Sequence, residues 1–170
     1  TAHIGNLGSR ENILKAKLEI LEGMDENGIL VINNDNDLLS KWNKEENKNY
    51  RTMTFGIENK SDIMPYDIEM SENGSTYKID LDGKTYNVNI DVGGNHFVLN
   101  SLCAIAIGRI FDIKVEDILD GIKNFELTKR RMQVEKNKEN ITIINDCYNA
   151  NYDSMKAAIE YLGKINARKK

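Results

Sequence analysis

Ile141-Thr142-Ile143-Ile144-Asn145-Asp146-Cys147-Tyr148-Asn149-Ala150-Asn151-Tyr152-Asp153-Ser154-Met155 is the stretch on which the fold turns. A short β-branched run stops at Asp146. A polar loop follows, in which Asp153 or Ser154 can cap a helix beginning near Met155. The pattern predicts a strand–loop–helix unit, with polar groups gathered where a strand ends. Open α/β sheets bind ligands at that edge.

Working outward, Ser9 to Met24 reads as one helix. Ser9 can cap it, and Ile13, Ala16, Lys17, Ile20, Leu21 and Met24 recur at helical spacing. Ile29–Ile32 reads as a short buried strand, Asp37 to about Glu46 as a helix, and Thr52–Phe55 as a further strand. From Tyr66 the period changes to two. Tyr66, Ile68 and Met70 alternate, then Tyr77, Ile79 and Leu81, then Tyr86, Val88 and Ile90. Asp82-Gly83 between the last two runs is a hairpin signal, so the segment reads as an antiparallel meander. His96–Phe111 and Val115–Phe125 return to helix. Lys129–Lys138 reads as a hinge or an exposed strand, and Ser154 to about Ile165 as the last helix. The fold class is α/β.

Apolar residues make up 40% and charged residues 29% of the 170, which suits a globular protein rather than a disordered one. No apolar run approaches a membrane span. A net charge of -4 argues against a nucleic-acid binder. Cys103 and Cys147 stand in no zinc or redox spacing, and a reducing cytoplasm fits. Thr1-Ala2-His3 carries no start methionine, and the chain is expected to be excised from a longer protein. Gly83-Lys84-Thr85 spells the end of a phosphate-binding loop, but Lys78 stands where the upstream glycine belongs and the tripeptide lies in a hairpin.

Two positions carry candidate chemistry on their helical neighbourhoods alone. Lys17 has Ile13, Leu14, Ile20 and Leu21 at helical contact spacing. A buried amine there has a lowered pKa, is nucleophilic, and can take up carbon dioxide as a carbamate able to hold a hard cation. The other reading is a lysine that snorkels to the helix edge. Asn100 is one of only two polar side chains between Phe97 and Ile107. Its amide must find a partner. An adenine edge offers both a donor and an acceptor; nearby backbone offers the same.

Three stretches and one arginine resemble the Mur ligases, and among them the branch that adds D-alanyl-D-alanine to the peptidoglycan precursor. Asp146–Met155 is similar to that branch's Asp-Ser-Tyr-Asn-Ala-Asn-Pro-Asp-Ser-Met signature, with Tyr152 in place of the proline. Ala2-His3, Gly8-Ser9 and Ala16-Lys17-Leu18-Glu19-Ile20 resemble the family's central-domain segment in order and spacing. Gly94-Asn95-His96-Phe97-Val98-Leu99-Asn100 resembles its Gly-x-His-Asn-x-x-Asn motif, with Phe97 replacing the first asparagine. Arg131 matches the arginine of a Gly-Arg element, with Arg130 in the glycine's place.

The resemblance implies that residues 1–128 are the later part of a P-loop-type central ATPase domain: a parallel sheet with helices, plus the meander. Residues 129–170 are then the first strand–helix unit of a Rossmann-like C-terminal domain. It implies ATP and Mg²⁺ as cofactors, with His3 and carbamylated Lys17 at the metal. Asn100 is implied on the adenine, His96 among the ATP-binding residues, and Arg131 and Asp146 on the ribose and phosphates. Tyr148, Asn149 and Asn151 are implied to close over nucleotide or substrate. The implied substrates are UDP-N-acetylmuramoyl-tripeptide and D-alanyl-D-alanine, joined in the cytoplasm by a monomer. In the family the phosphate-binding loop lies upstream of the His3 segment, so these residues alone are expected to be inactive. A sister Mur ligase, a folylpolyglutamate synthase-like ligase, or a non-catalytic nucleotide-binding module on the same scaffold remain open.

Overall fold

The computed structural model describes residues 4–47, 49–71, 74–139 and 141–164. A short helix, α1 (Ile4–Leu7), leads into α2 (Arg10–Leu18), which Ser9 caps by accepting the Asn12 N–H at 3.1 Å. Periodicity predicts one helix to Met24. The structure ends α2 at Leu18, and Glu19–Gly23 tightens into a 3₁₀ turn. Three residues per turn rather than 3.6 swing later side chains out of the row below. Ile20 is accordingly 63% exposed instead of stacked over Lys17.

Strand β1 (Ile29–Asn33), helix α3 (Asp37–Glu45) and strand β2 (Arg51–Phe55) form a strand–helix–strand crossover with the two strands parallel, Ile29 opposite Arg51 and Asn33 opposite Phe55. The loops leaving both strands are tied together by Asp35. Its carboxylate accepts the backbone N–H groups of Ile57 at 2.6 Å, Asn59 at 2.8 Å and Glu58 at 3.1 Å.

Strands β3 (Pro65–Ser71), β4 (Gly74–Leu81) and β5 (Lys84–Ile90) form the antiparallel meander. Asp82 and Gly83 turn between β4 and β5 with φ of 51° and 76°, the pair of left-handed residues that a tight hairpin requires. Alternation puts Ser75, Tyr77, Ile79 and Leu81 inward along β4, with Val88 and Ile90 beside them on β5. Helices α4 (Asn95–Ile110) and α5 (Val115–Lys123) cover this face. Val98, Leu102, Ile105 and Ala106 of α4 are fully buried. The Tyr77 hydroxyl meets Ser101 Oγ at 2.7 Å, and Ser101 Oγ donates in turn to the Val98 carbonyl at 2.7 Å. Burial pushes the Tyr77 pKa up to about 12, so this buried pair stays neutral.

The chain continues through β6 (Gln133–Lys136), β7 (Thr142–Asn145) and α6 (Tyr152–Lys164), with β6 and β7 antiparallel. Lys129–Lys138 thus supplies an exposed strand. Met132 and Tyr161 are buried in the same core as α4, and Ile144 and Ala158 pack against it. Gly93 marks the closest approach: a Cβ there would lie 2.8 Å from the Tyr161 ring and 2.7 Å from the Ser71 carbonyl oxygen. That contact seats α6 against the residues that lead into α4.

Candidate nucleotide-binding site

The start of α4 is fixed from below. The Ser75 hydroxyl donates to the Val92 carbonyl at 3.3 Å and accepts the Gly94 N–H at 3.4 Å. Gly94 has a φ of 129°, a conformation L side chains rarely adopt, and its carbonyl accepts the N–H groups of Phe97 at 3.0 Å and Val98 at 3.3 Å. His96, on the first turn, packs its ring on Phe97 with centroids 4.1 Å apart. Burial lowers the His96 pKa below its usual 6.5; the nearby Asp146 charge opposes that shift without cancelling it. A depressed value leaves the imidazole neutral at pH 7, so it can accept as well as donate.

Asp146 is the first residue after β7, at the strand end where the β-branched pattern puts it. Its Oδ1 accepts the Met132 N–H at 3.0 Å, and the Tyr148 N–H donates to the Arg130 carbonyl at 3.1 Å. These two bonds join residues 130–132 to residues 146–148. Arg130 and Met132 are both left-handed, with φ of 66° and 45°. Glycine adopts such a backbone far more readily than an L side chain does. Arg130→Gly is therefore expected to raise stability by about 1 kcal/mol, read as a higher urea midpoint at unchanged slope. A lower midpoint would show that the arginine side chain contributes more than its backbone costs.

Asn100 lies one turn beyond His96 on the same helix and is exposed. Its amide sits at the rim of an apolar cavity of about 510 Å³ between α4 and α5, lined among others by Phe97, Ala104, Ile107, Gly121 and Phe125. Largely apolar walls, with Asn100, Ser101 and Asp117 as the polar side chains among them, suit a flat heteroaromatic ring. The carboxylate of Asp146 suits ribose hydroxyls, and the guanidinium of Arg131 suits an anion.

The structure sets Asp146 near His96, stacks Arg131 on Tyr148 in the segments joined to Asp146, and places Asn100 one turn along α4 from His96. It corrects other expectations. Lys17 is exposed, in a shallow groove with Arg10, Ile13, Leu14, Asn36, Leu38 and Leu39. Its aliphatic neighbours do not bury it, because the helix that should stack Ile20 and Leu21 over it has ended. An exposed amine lacks the desolvation that sustains a carbamate. His3 lies outside the described residues. Among the described residues there is no group of three or more His, Cys, Asp or Glu side chains that could hold a metal ion.

The α6 cap is also corrected. Asn151 performs it, with its Oδ1 accepting the Ser154 N–H at 3.0 Å and its own N–H donating to Ser154 Oγ at 3.1 Å. The Asn151 side-chain oxygen is thereby committed to the helix. Tyr152, in the family's proline position, is the first helical residue, the place where proline is favoured. Asn149 is exposed in the loop. Sequence reasoning missed Ser75, although its signal was present: it is the polar residue on the inward side of β4's alternation.

Cys147 lies between Asp146 and Tyr148 and is exposed, whereas Cys103 is half-buried with its thiol pKa raised by burial. Iodoacetamide should therefore label Cys147 first, and saturating ATP should slow that labelling alone, read by peptide mass spectrometry. Faster labelling of Cys103 would contradict the packing described.

Strand ends, a helix start and a largely apolar cleft make this a candidate nucleotide site on an α/β fold. Residues 1–108 match the Mur ligase middle domain, and the chain belongs to the Mur ligase family. It is 37% identical over 159 residues to the UDP-N-acetylmuramoyl-tripeptide–D-alanyl-D-alanine ligase of Bacillus subtilis, covering 94% of this chain and 33% of that protein. It is 33% identical over 168 residues to the ligase of the same name from Buchnera aphidicola, covering 99% of this chain and 36% of that protein. MurF from Acinetobacter baumannii superposes with a TM-score of 0.89 at 27% identity, covering 98% of this chain and 36% of that one. The chain thus spans about a third of the length of the curated relatives it matches. Among the described residues no helix is long and apolar enough to cross a membrane.

Proposed function

We propose that this chain is the nucleotide-handling part of an ATP-dependent ligase that adds D-alanyl-D-alanine to UDP-N-acetylmuramoyl-tripeptide. The enzyme acts as a cytoplasmic monomer in peptidoglycan synthesis. Residues 1–128 belong to its central domain and residues 129–170 begin its C-terminal domain. ATP phosphorylates the terminal carboxylate of the precursor and leaves as ADP. The amine of D-alanyl-D-alanine then attacks the acyl phosphate, and phosphate departs as the amide forms.

The observation that carries this reading is that Asp146 lies within electrostatic reach of His96 while its carboxylate accepts the N–H of Met132, the neighbour of Arg131, so that three separate segments converge. In this role Asn100 reads the base, Asp146 accepts from the ribose, and Arg131 holds phosphate oxygens. His96 lines the ribose side as a neutral ring. Mg²⁺ supplies charge stabilisation when bound, and His3 with a Lys17 carbamate are its family-matched ligands. The exposure of Lys17 requires that any such carbamate be covered by chain beyond the described residues. That exposure is also what favours the second reading, a nucleotide-binding module without ligase chemistry. Turnover by the protein made from the full reading frame separates the two. The 170 residues alone are expected to turn over nothing, since their sequence has no phosphate-binding loop.

The test is ATP binding by that full-length protein. Asn100→Ala should weaken it about two- to tenfold, the value of one net hydrogen bond, with no change in melting temperature because the side chain is exposed. Unchanged affinity refutes the assignment of the base to the α4–α5 cavity.

A further inference from the structure

We propose that Tyr148 is a positioning residue for Arg131, and that the stacked pair is a preorganised receptor for the phosphate chain of a nucleotide. The inference rests on the ATP reading above and narrows it to one mechanical part.

The guanidinium carbon of Arg131 lies 4.2 Å from the centroid of the Tyr148 ring. That ring is 59% exposed, so the core does not need it. The root of Arg131 is held by its backbone. It sits between left-handed Arg130 and left-handed Met132, and the Met132 side chain is buried at 4% exposure. The Asp146 carboxylate grips the Met132 N–H, and the Tyr148 N–H grips the Arg130 carbonyl. The strip that carries the arginine and the strip that carries the ring therefore move as one body. The backbone sets where the side chain starts, and the ring sets where it ends.

The arginine's charge is also unspent. Arg10 pairs with Asp37 and Arg109 with Asp82, but among the described residues Arg131 forms no such ion pair. Stacking occupies the face of a guanidinium and leaves its N–H donors pointing outward in the plane, free for a bidentate grip on an anion. A long side chain otherwise loses rotamer freedom when it binds, and the ring removes part of that cost beforehand. Tyrosine rather than an aliphatic residue is required, because the attraction is to the ring face. The hydroxyl is not.

ATP is titrated into the full-length protein, its Tyr148→Phe, Tyr148→Leu and Arg131→Ala variants, and the Tyr148→Leu/Arg131→Ala double variant; tripolyphosphate serves as a base-free probe. Tyr148→Phe should bind ATP as the parent does. Tyr148→Leu should bind roughly two- to fivefold more weakly, as loss of an exposed cation–π contact implies. Arg131→Ala should lose about tenfold or more. Tyr148→Leu should add nothing in the Arg131→Ala background, and the parent's loss should recur with tripolyphosphate. Equal losses in both backgrounds would make the ring a direct contact or a structural part and overturn the proposal. So would no loss in Tyr148→Leu, none in Arg131→Ala, or a loss confined to ATP. A parent protein that binds no ATP would overturn the nucleotide reading itself, and the proposal with it.

Discussion

Asp146→Ala should weaken ATP binding by about ten- to a hundredfold, the effect of removing hydrogen bonds to a charged group. Two losses combine. The carboxylate that would meet the ribose is gone, and the Met132 N–H, held at 3.0 Å, loses its acceptor. Met132 stands in a left-handed conformation with its side chain buried, so releasing its N–H loosens the segment that carries Arg131. Asp146→Asn separates the two effects. An amide oxygen can still accept from Met132, but the negative charge is lost. Melting temperature should then stay near the parent's while ATP affinity still falls.

The same pair of variants makes a pH prediction. Burial depresses the His96 pKa below 6.5, and Asp146's charge pulls it partly back. Removing that charge should lower the His96 value further, read by NMR titration of its ring protons. The sign for stability follows from linkage. A histidine whose folded pKa is depressed gives its full contribution above the unfolded value. That contribution is lost as pH falls below about 6.5 and through the folded value, because the unfolded chain takes up the proton more readily. Asp146→Asn should make that acid-side loss steeper. A His96 pKa that rises in Asp146→Asn would show that the two side chains do not face each other.

Leu102→Ala should cost about 2–5 kcal/mol, a large part of the roughly 5–15 kcal/mol that holds a domain of this size together. Leu102 is fully buried on the inner face of α4, in one cluster with Tyr77, Ile79 and Val88 of the meander and Ile118 and Ile122 of α5. Dense packing on both sides leaves little that can collapse into the space. Ile20→Ala is the control: at 63% exposure it should change stability by no more than about 0.5 kcal/mol. Urea denaturation of the two variants reads both numbers. A mild Leu102→Ala would mean that α4, and with it His96 and Asn100, is not anchored through this core.

Much of this architecture was legible in the chain itself. Alternation over Tyr77–Leu81 and Tyr86–Ile90 found the meander because one face of an antiparallel sheet is buried and the other wet. The β-branched run ending at Asp146 found β7, and the signature loop after it found the family. What local pattern could not supply was geometry between distant segments. Asn151, Asp153 and Ser154 all carry cap-forming oxygens, and only the path of the chain selects Asn151. Of the two readings of Lys17 the structure shows the exposed one: periodicity assumes that a helix continues, and the 3₁₀ turn at Glu19 breaks the stack that would bury the amine. The family assignment therefore stands on the match over residues 1–108 and on the relatives, and takes nothing from Lys17. Arg131 and Tyr148 are far apart in sequence, and no spacing rule announces their stacking. The left-handed backbone at Arg130 was hinted at only by the glycine that the family keeps there.

The decisive measurement is an ATP titration of the isotope-labelled full-length protein followed by amide and imidazole NMR. A single site predicts that Met132, Asp146 and Tyr148 on one segment pair, and His96 and Asn100 on α4, shift together along one saturation curve. If the α4 signals saturate while those of residues 130–148 stay put, the two halves do not share a ligand, and the site described here does not exist as one.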